Sequence, residues 1–318
     1  MENYKQRVID LFYKSAETLT DRETWFAKGG HMGQAENLIK SSNFDNFGNH
    51  VVTHGMGAGY DYFVAQQRSK IHMDKHREQF LEITGLSENV LGISQDFSFY
   101  GNQLDNKDIV PCLAYRFGYY LYRILQFSCF KNNNLKINIM EIGGGWGLLG
   151  SLLLKQKNIC YVSVDLPSMS MCCAYFLMKL GYNVLCYGEY DDINDAIQNY
   201  DVVIIPPCEV SKIKNNSIDI VFNANSFPEM PYDMIKYYIE NINRVCKKDS
   251  YFYYDNLVKS DFPQYGITRL QDICEKFLSN NFMLKYFGLT PIHTDRPWIG
   301  NPKQELRDYE ERIYKREK

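Results

Sequence analysis

Apolar positions in this chain change their period near residue 131. Before it, Tyr4 to Thr18 and Pro111 to Phe130 repeat apolar side chains every three or four residues, which predicts helices. Gly29 to Gly59, rich in Gly, Asn, His and Ser, predicts one long ordered loop between them. An Asn- and Lys-rich turn follows at Lys131 to Lys136, and beyond it short apolar runs alternate with helical segments. The runs Ile137 to Ile142, Cys160 to Val164, Asp201 to Ile205, Ile218 to Asn223, Tyr251 to Asp255 and Phe282 to Leu289 predict strands. Trp146 to Lys157, Pro167 to Leu180, Tyr232 to Lys247 and Leu270 to Leu278 predict the helices between them, and Asn183 to Asn199 has room for one more short strand and helix. This alternation calls for an α/β fold with a doubly wound, Rossmann-like sheet. Residues 1–130 then form a mainly helical N-terminal subdomain, and residues 131–318 the sheet domain, ending in a loop segment.

Composition excludes more than it selects. At 318 residues, 45% hydrophobic and 23% charged, the chain suits about two ordinary globular domains at roughly 150 residues each. Lys and Arg number 35 against 38 Asp and Glu, so no net field attracts a phosphate backbone and nucleic acid is not an expected partner. The nine cysteines are scattered without a C-x-x-C spacing, which argues against a disulfide framework or zinc knuckle and for reduced thiols in the cytoplasm. The first 14 residues are charged, and the longest apolar run, Leu148 to Leu154, is broken by Gly150 and Ser151, so neither export nor membrane insertion is expected.

The chemistry starts at Ile139-Met-Glu-Ile-Gly-Gly-Gly-Trp-Gly-Leu-Leu-Gly150, a buried strand running into bare backbone and then a helix. Such a loop lets a nucleotide-type ligand lie where a Cβ would collide. Two spacings overlap in it. Gly145-x-Gly147-x-x-Gly150 satisfies the dinucleotide fingerprint, and Glu141-x-Gly143-x-Gly145-x-Gly147 satisfies an acidic-plus-three-glycine loop. A carboxylate at the strand end is mildly repulsive to pyrophosphate, whereas it attracts the sulfonium and ammonium of S-adenosylmethionine or anchors the loop through N–H groups. Asp165, which ends the next strand 20 residues beyond Gly145, can accept both ribose hydroxyls in either reading.

The third segment is Ser217-Ile-Asp-Ile-Val-Phe-Asn-Ala-Asn-Ser-Phe-Pro-Glu-Met-Pro231: a strand, a polar loop and a helix. Together with the glycine loop it resembles the class I S-adenosylmethionine-dependent methyltransferases over about residues 131–290. More narrowly, Asn225-Ser-Phe-Pro-Glu-Met230, Asp201-Val-Val-Ile-Ile-Pro-Pro207 and Tyr100-Gly-Asn-Gln103 resemble the bacterial sugar O-methyltransferase family, although Gln103 stands where that family has Pro. The resemblance implies S-adenosyl-L-methionine as methyl donor and S-adenosyl-L-homocysteine as product. Glu141, Gly143, Gly145 and Gly147 would line the methionine part and Asp165 the ribose. Leu166, Pro206, Pro207 and Cys208 would border the adenine, and Asn223, Asn225 and Ser226 would lie beside the sulfonium. The acceptor would be a sugar or nucleotide-activated sugar of a surface polysaccharide. The helical N-terminal part would complete its pocket and supply homodimer contacts.

Methyl transfer to a hydroxyl needs positioning and one base. Glu229 qualifies by its place at the sheet's carboxyl edge, though a carboxylate there also suits a helix start. His293 follows the last expected strand with Asp295 as orienting partner, and His54 sits in the glycine-rich N-terminal loop. His72 and His76 share a helix face without an evident third ligand, so zinc is not expected; Asp191, Asp192, Asp255 and Asp261 are the carboxylates open to magnesium. Phe99, Tyr100 and Trp298 are candidate sugar-stacking rings, and Trp146 inside the glycine loop is hard to place in a core.

Overall fold

The computed structural model describes residues 2–19, 35–36, 39–40, 78, 80–85, 109–131, 135–156, 158–258, 270–289 and 309–318. Their elements run in the order α1 (Glu2–Ala16), α2 (Ile109–Leu125), β1 (Ile137–Ile142), α3 (Leu148–Leu154), β2 (Ile159–Val164), α4 (Pro167–Lys179), β3 (Val184–Cys186), α5 (Ile193–Asn199), β4 (Val202–Ile205), β5 (Ile218–Ala224), α6 (Tyr232–Val245), β6 (Cys246–Leu257), α7 (Leu270–Phe277), β7 (Phe282–Leu289) and β8 (Tyr309–Arg316). The short 3-10 turns Pro207–Lys212 and Phe227–Glu229 follow β4 and β5.

One eight-stranded sheet has the order β3-β4-β2-β1-β5-β6-β8-β7. β3, β4, β2, β1, β5 and β6 pair in parallel, while β8 pairs antiparallel with both β6 and β7. The winding reverses between β1 and β5, so the loops leaving those strands diverge and open a crevice at the carboxyl edge. The central strands read as unbroken apolar runs because both faces are covered. One core holds Ile139, Tyr161, Phe222 and Tyr253 against α1 to α4; the other holds Met140, Val162, Val203 and Phe252 against α5 to α7. The α/β fold and the doubly wound sheet are as expected.

As the sequence allowed, the stretch Asn183 to Asn199 contains a short strand and helix, β3 and α5. The strand at Tyr309–Arg316 and the burial of Trp146 differ from the reading of the sequence. Tyr309–Arg316, expected as loop, is a strand inserted between β6 and β7. Its charged residues hid it: Glu310, Glu311 and Arg312 are all buried. Trp146 is core after all, 5% exposed and edge-on to Phe176 of α4 with ring centres 5.2 Å apart. The described N-terminal helices lie on the sheet's own layers, α1 against α4 and α2 against α3. Within the long loop expected at Gly29 to Gly59, the described residues 35–36 and 39–40 are helical and Ala35 is buried in the core, which corrects the loop reading there. The rest of that stretch, along with His54, His72, His76, Phe99, Tyr100, Gln103, Asp261, His293, Asp295 and Trp298, lies outside the described residues.

Candidate active site

β1 ends at Ile142, and the backbone then turns through three left-handed glycines, Gly143 (φ 74°), Gly145 (φ 56°) and Gly147 (φ 84°). L-residues avoid this region, so glycine is required three times within five positions. The surroundings of the loop differ from one glycine to the next. A Cβ on Gly143 would run into Ser226, and one on Gly147 would meet the Cys173 sulfur at 2.7 Å. A Cβ on Gly145 would meet nothing within 4 Å. The loop is thus pressed onto the protein at both ends and open in the middle, at the mouth of the crevice.

Asp165 holds that open middle in place. Its two carboxylate oxygens accept the N–H groups of Gly145 and Leu166, each at 2.7 Å. Each oxygen keeps a further lone pair, so the group can still receive hydroxyls. Burial outweighs these two donors and lifts its pKa to about 7. Leu166 then caps α4, with Pro167 at its first position. Ile205 at the end of β4 accepts the Asp165 N–H at 3.4 Å, which places Pro206, Pro207 and the exposed Cys208 beside the Asp165 end of the crevice.

Glu141 lies beneath the loop, 3% exposed, and its Oε2 accepts the Tyr161 hydroxyl at 2.5 Å. Burial is the main cause that raises its pKa to about 8, with nearby Asp165 adding to it. Sequence reasoning missed Tyr161. The available signal was register, since β1 and β2 run parallel with Glu141 opposite Ser163, placing a hydroxyl-bearing ring one pleat back on the same face.

On the other wall, Asn223 is a brace. Its amide nitrogen donates to the Ile142 carbonyl and the Ser226 hydroxyl, and its oxygen accepts from Asn256 of β6. Ser226 in turn donates to the Ile142 carbonyl at 3.2 Å. Asn225 is left-handed (φ 59°), and its N–H is tied to the Asp255 carbonyl; its side-chain oxygen is buried with no hydrogen-bond partner. Glu229 ends the 3-10 turn that Ser226 starts. The residue is exposed, and desolvation together with Asp165 lifts its carboxyl pKa to about 7.

Asp165 and Ser226 therefore touch the glycine loop, Glu141 and Tyr161 lie beneath it, Asn223 braces it, and Asn225 and Glu229 sit on the segment that Ser226 anchors. No Lys or Arg among the described residues acts on any of the three carboxyl groups. The other carboxylates lie elsewhere. Asp191 and Asp192 line a cavity of about 580 Å³ with Lys14, Tyr187, Tyr190 and Lys212, and Asp255 accepts the Tyr120 hydroxyl. Among the described residues no group of three or more His, Cys, Asp or Glu side chains converges, and no helix is long and apolar enough to cross a membrane.

No family model matches the chain, and no curated protein matches it. Solved structures do. A sarcosine dimethylglycine methyltransferase from Galdieria sulphuraria is 10% identical at a TM-score of 0.47, over 67% of this chain and 89% of its own. A SAM-dependent methyltransferase from Methanosarcina mazei is 13% identical at a TM-score of 0.39, over 60% and 98%. A methyltransferase from Haloferax volcanii, solved with its Trm112 activator, is 14% identical at a TM-score of 0.40, over 65% and 96%.

Proposed function

We propose that this chain is an S-adenosyl-L-methionine-dependent O-methyltransferase whose acceptor is a hydroxyl of a sugar or nucleotide-activated sugar. One observation carries the choice of cofactor: among the described residues, no basic residue acts on the carboxyl groups of Glu141 and Asp165 at the bare glycine loop or on Glu229 at the end of the neighbouring turn. A pyrophosphate would add negative charge to that crevice, whereas a sulfonium with an ammonium supplies the missing positive charge. The sulfonium, when bound, is an activated methyl donor.

The residues divide the work. Gly145 leaves room over the loop, and Asp165, already fixed by two N–H donors, receives the ribose hydroxyls. Leu166, Pro206 and Pro207 border the base. Glu141 stays under the loop, where Tyr161 holds its carboxyl group. The unpaired oxygen of Asn225 presents partial negative charge on the sulfonium side, where Ser226 fixes the loop. Glu229, with a pKa near the working pH, takes the acceptor proton. His54 and His293 are the other candidates for that base, and the N-terminal residues supply acceptor and homodimer contacts. The sugar acceptor rests on the resemblance of the Asn225–Met230 and Asp201–Pro207 segments.

Calorimetry against S-adenosylhomocysteine and NAD tests the cofactor: the first is expected to bind and the second not, and the reverse outcome sinks the reading. A labelled methyl donor offered to a panel of free and nucleotide-linked sugars tests the acceptor.

A further inference from the structure

We infer that the cavity beside α1 is a second ligand site, built for a neutral polyhydroxyl compound of the size of a mono- or disaccharide and distinct from the glycine-loop crevice. At about 580 Å³ it falls within the roughly 300 to 1,000 Å³ of ordinary small-molecule sites. Three segments meet there: the end of α1, the β3–α5 loop and the 3-10 turn after β4. β3, β4, β2 and β1 run parallel, so the cavity lies at the same sheet edge as the glycine loop. None of its lining residues is one that the methyl donor is proposed to touch, and the site stands whether or not the methyl-transfer reading does.

The walls are fixed before a ligand arrives. Arg7 of α1 grips both carboxylate oxygens of Glu189 at 2.6 Å, and the Lys14 ammonium donates to the Gly188 carbonyl at 3.3 Å, so α1 clamps the β3–α5 loop. The Tyr187 N–H donates to the Ile204 carbonyl at 2.9 Å, which ties the start of that loop to β4. Tyr190 stands edge-on to Tyr187, with ring centres 6.4 Å apart. Glu209 is 3% exposed; one of its oxygens takes the Lys212 ammonium at 2.7 Å and the other the Tyr190 hydroxyl at 3.3 Å.

The lining selects the ligand. Glu17, Asp191, Asp192 and Glu209 oppose an anion, while Lys14 and Lys212 oppose a cation. A hydroxyl suits both sets, because it donates to carboxylates and accepts from ammonium groups. Two half-buried tyrosine rings set at 68° give a sugar ring an apolar surface, and their polar tips are available to its hydroxyls.

NMR titrations of the full chain, labelled at tyrosine, test this with cellobiose, maltose and sucrose as neutral probes and spermidine and glucose 1-phosphate as charged ones. At least one disaccharide is expected to bind with a Kd on the order of 1 mM and to shift the ring signals of Tyr187 and Tyr190. Tyr187→Ala is expected to weaken it at least about 5-fold. No binding by any disaccharide, a charged probe bound more tightly than all of them, or full affinity in Tyr187→Ala each overturn the proposal. If Tyr187→Ala does not fold, the unaltered protein decides: a disaccharide that leaves both rings unmoved overturns the site. S-adenosylhomocysteine is expected not to displace the disaccharide, and displacement likewise overturns the proposal. Failure of S-adenosylhomocysteine to bind at all overturns the methyl-transfer reading alone.

Discussion

The sheet buries carboxylates at two places and treats them differently. On the β6–β8 side, Glu311 receives Arg123 at 2.8 Å and the Tyr119 hydroxyl at 2.7 Å from α2, while Glu310 receives Arg312 and the Tyr254 hydroxyl, each at 2.8 Å. Glu310 and Glu311 each have an arginine there, and the Glu311 contacts pin α2 to the strands. Around the glycine loop, Glu141 has one phenol, Asp165 two backbone N–H groups, and Glu229 a neighbouring carboxylate. Matched charge holds a fold together, whereas unmatched charge raises pKa values and waits for a ligand. This difference, more than the glycine spacing, marks one place as a clamp and the other as a site.

The comparison can be broken from either side, starting with the largest effect. Arg123→Met removes the cation from a fully buried Glu311 and is expected to cost about 3 kcal/mol in urea unfolding; a cost below about 1 kcal/mol would mean that the clamp is ornamental. Gly145→Ala is expected to weaken S-adenosylhomocysteine binding at least about 30-fold, roughly 2 kcal/mol. The same substitution is expected to cost only about 1 kcal/mol of stability, because its Cβ enters open space from a left-handed backbone. Equal losses in binding and stability would show that the open space is not where the ligand lies. Tyr161→Phe leaves the Glu141 carboxyl without its donor and is expected to cost about 1.5 kcal/mol.

The pH dependence of stability sharpens the same contrast. Glu141 is raised from 4.5 to about 8 on folding, so the folded chain holds a proton that the unfolded chain gives up. Its contribution is full below about pH 4.5 and is lost as pH rises through 8, because the unfolded state then binds fewer protons. Unfolding at pH 5.5 and 8.5 is expected to show Glu141→Gln losing at least about 1 kcal/mol less than the unaltered protein over that interval. The smallest effect is expected at the solvent-facing pair of Lys285 and Glu317, where Lys285→Ala should change stability by less than about 0.5 kcal/mol.

Some of this was legible in advance and some was not. The glycine loop, Asp165 and the Asn225–Glu229 segment could be located because glycine at left-handed positions and polar residues ending apolar strands are local signals. The roles within the site were less legible. Asn223, expected beside the sulfonium, spends its hydrogen-bonding groups bracing Ile142, Ser226 and Asn256, and its partner lies 33 residues away on another strand. Tyr161 was read as one more apolar strand residue, and its bond to Glu141 appears only once β1 and β2 pair in register.

What the sequence alone determined was periodicity and backbone freedom: where strands and helices alternate, and where the chain turns without side chains. Those depend on neighbours a few positions apart. Tertiary structure decided which charges meet. Tyr309–Arg316 looks like a solvated tail until β6 and β7 flank it and α2 supplies Arg123 and Tyr119, 188 and 192 residues away from Glu311. Burying a charge is costly unless its partner is already in place, and that partner is set by the packing of distant elements, which no local pattern along the chain encodes.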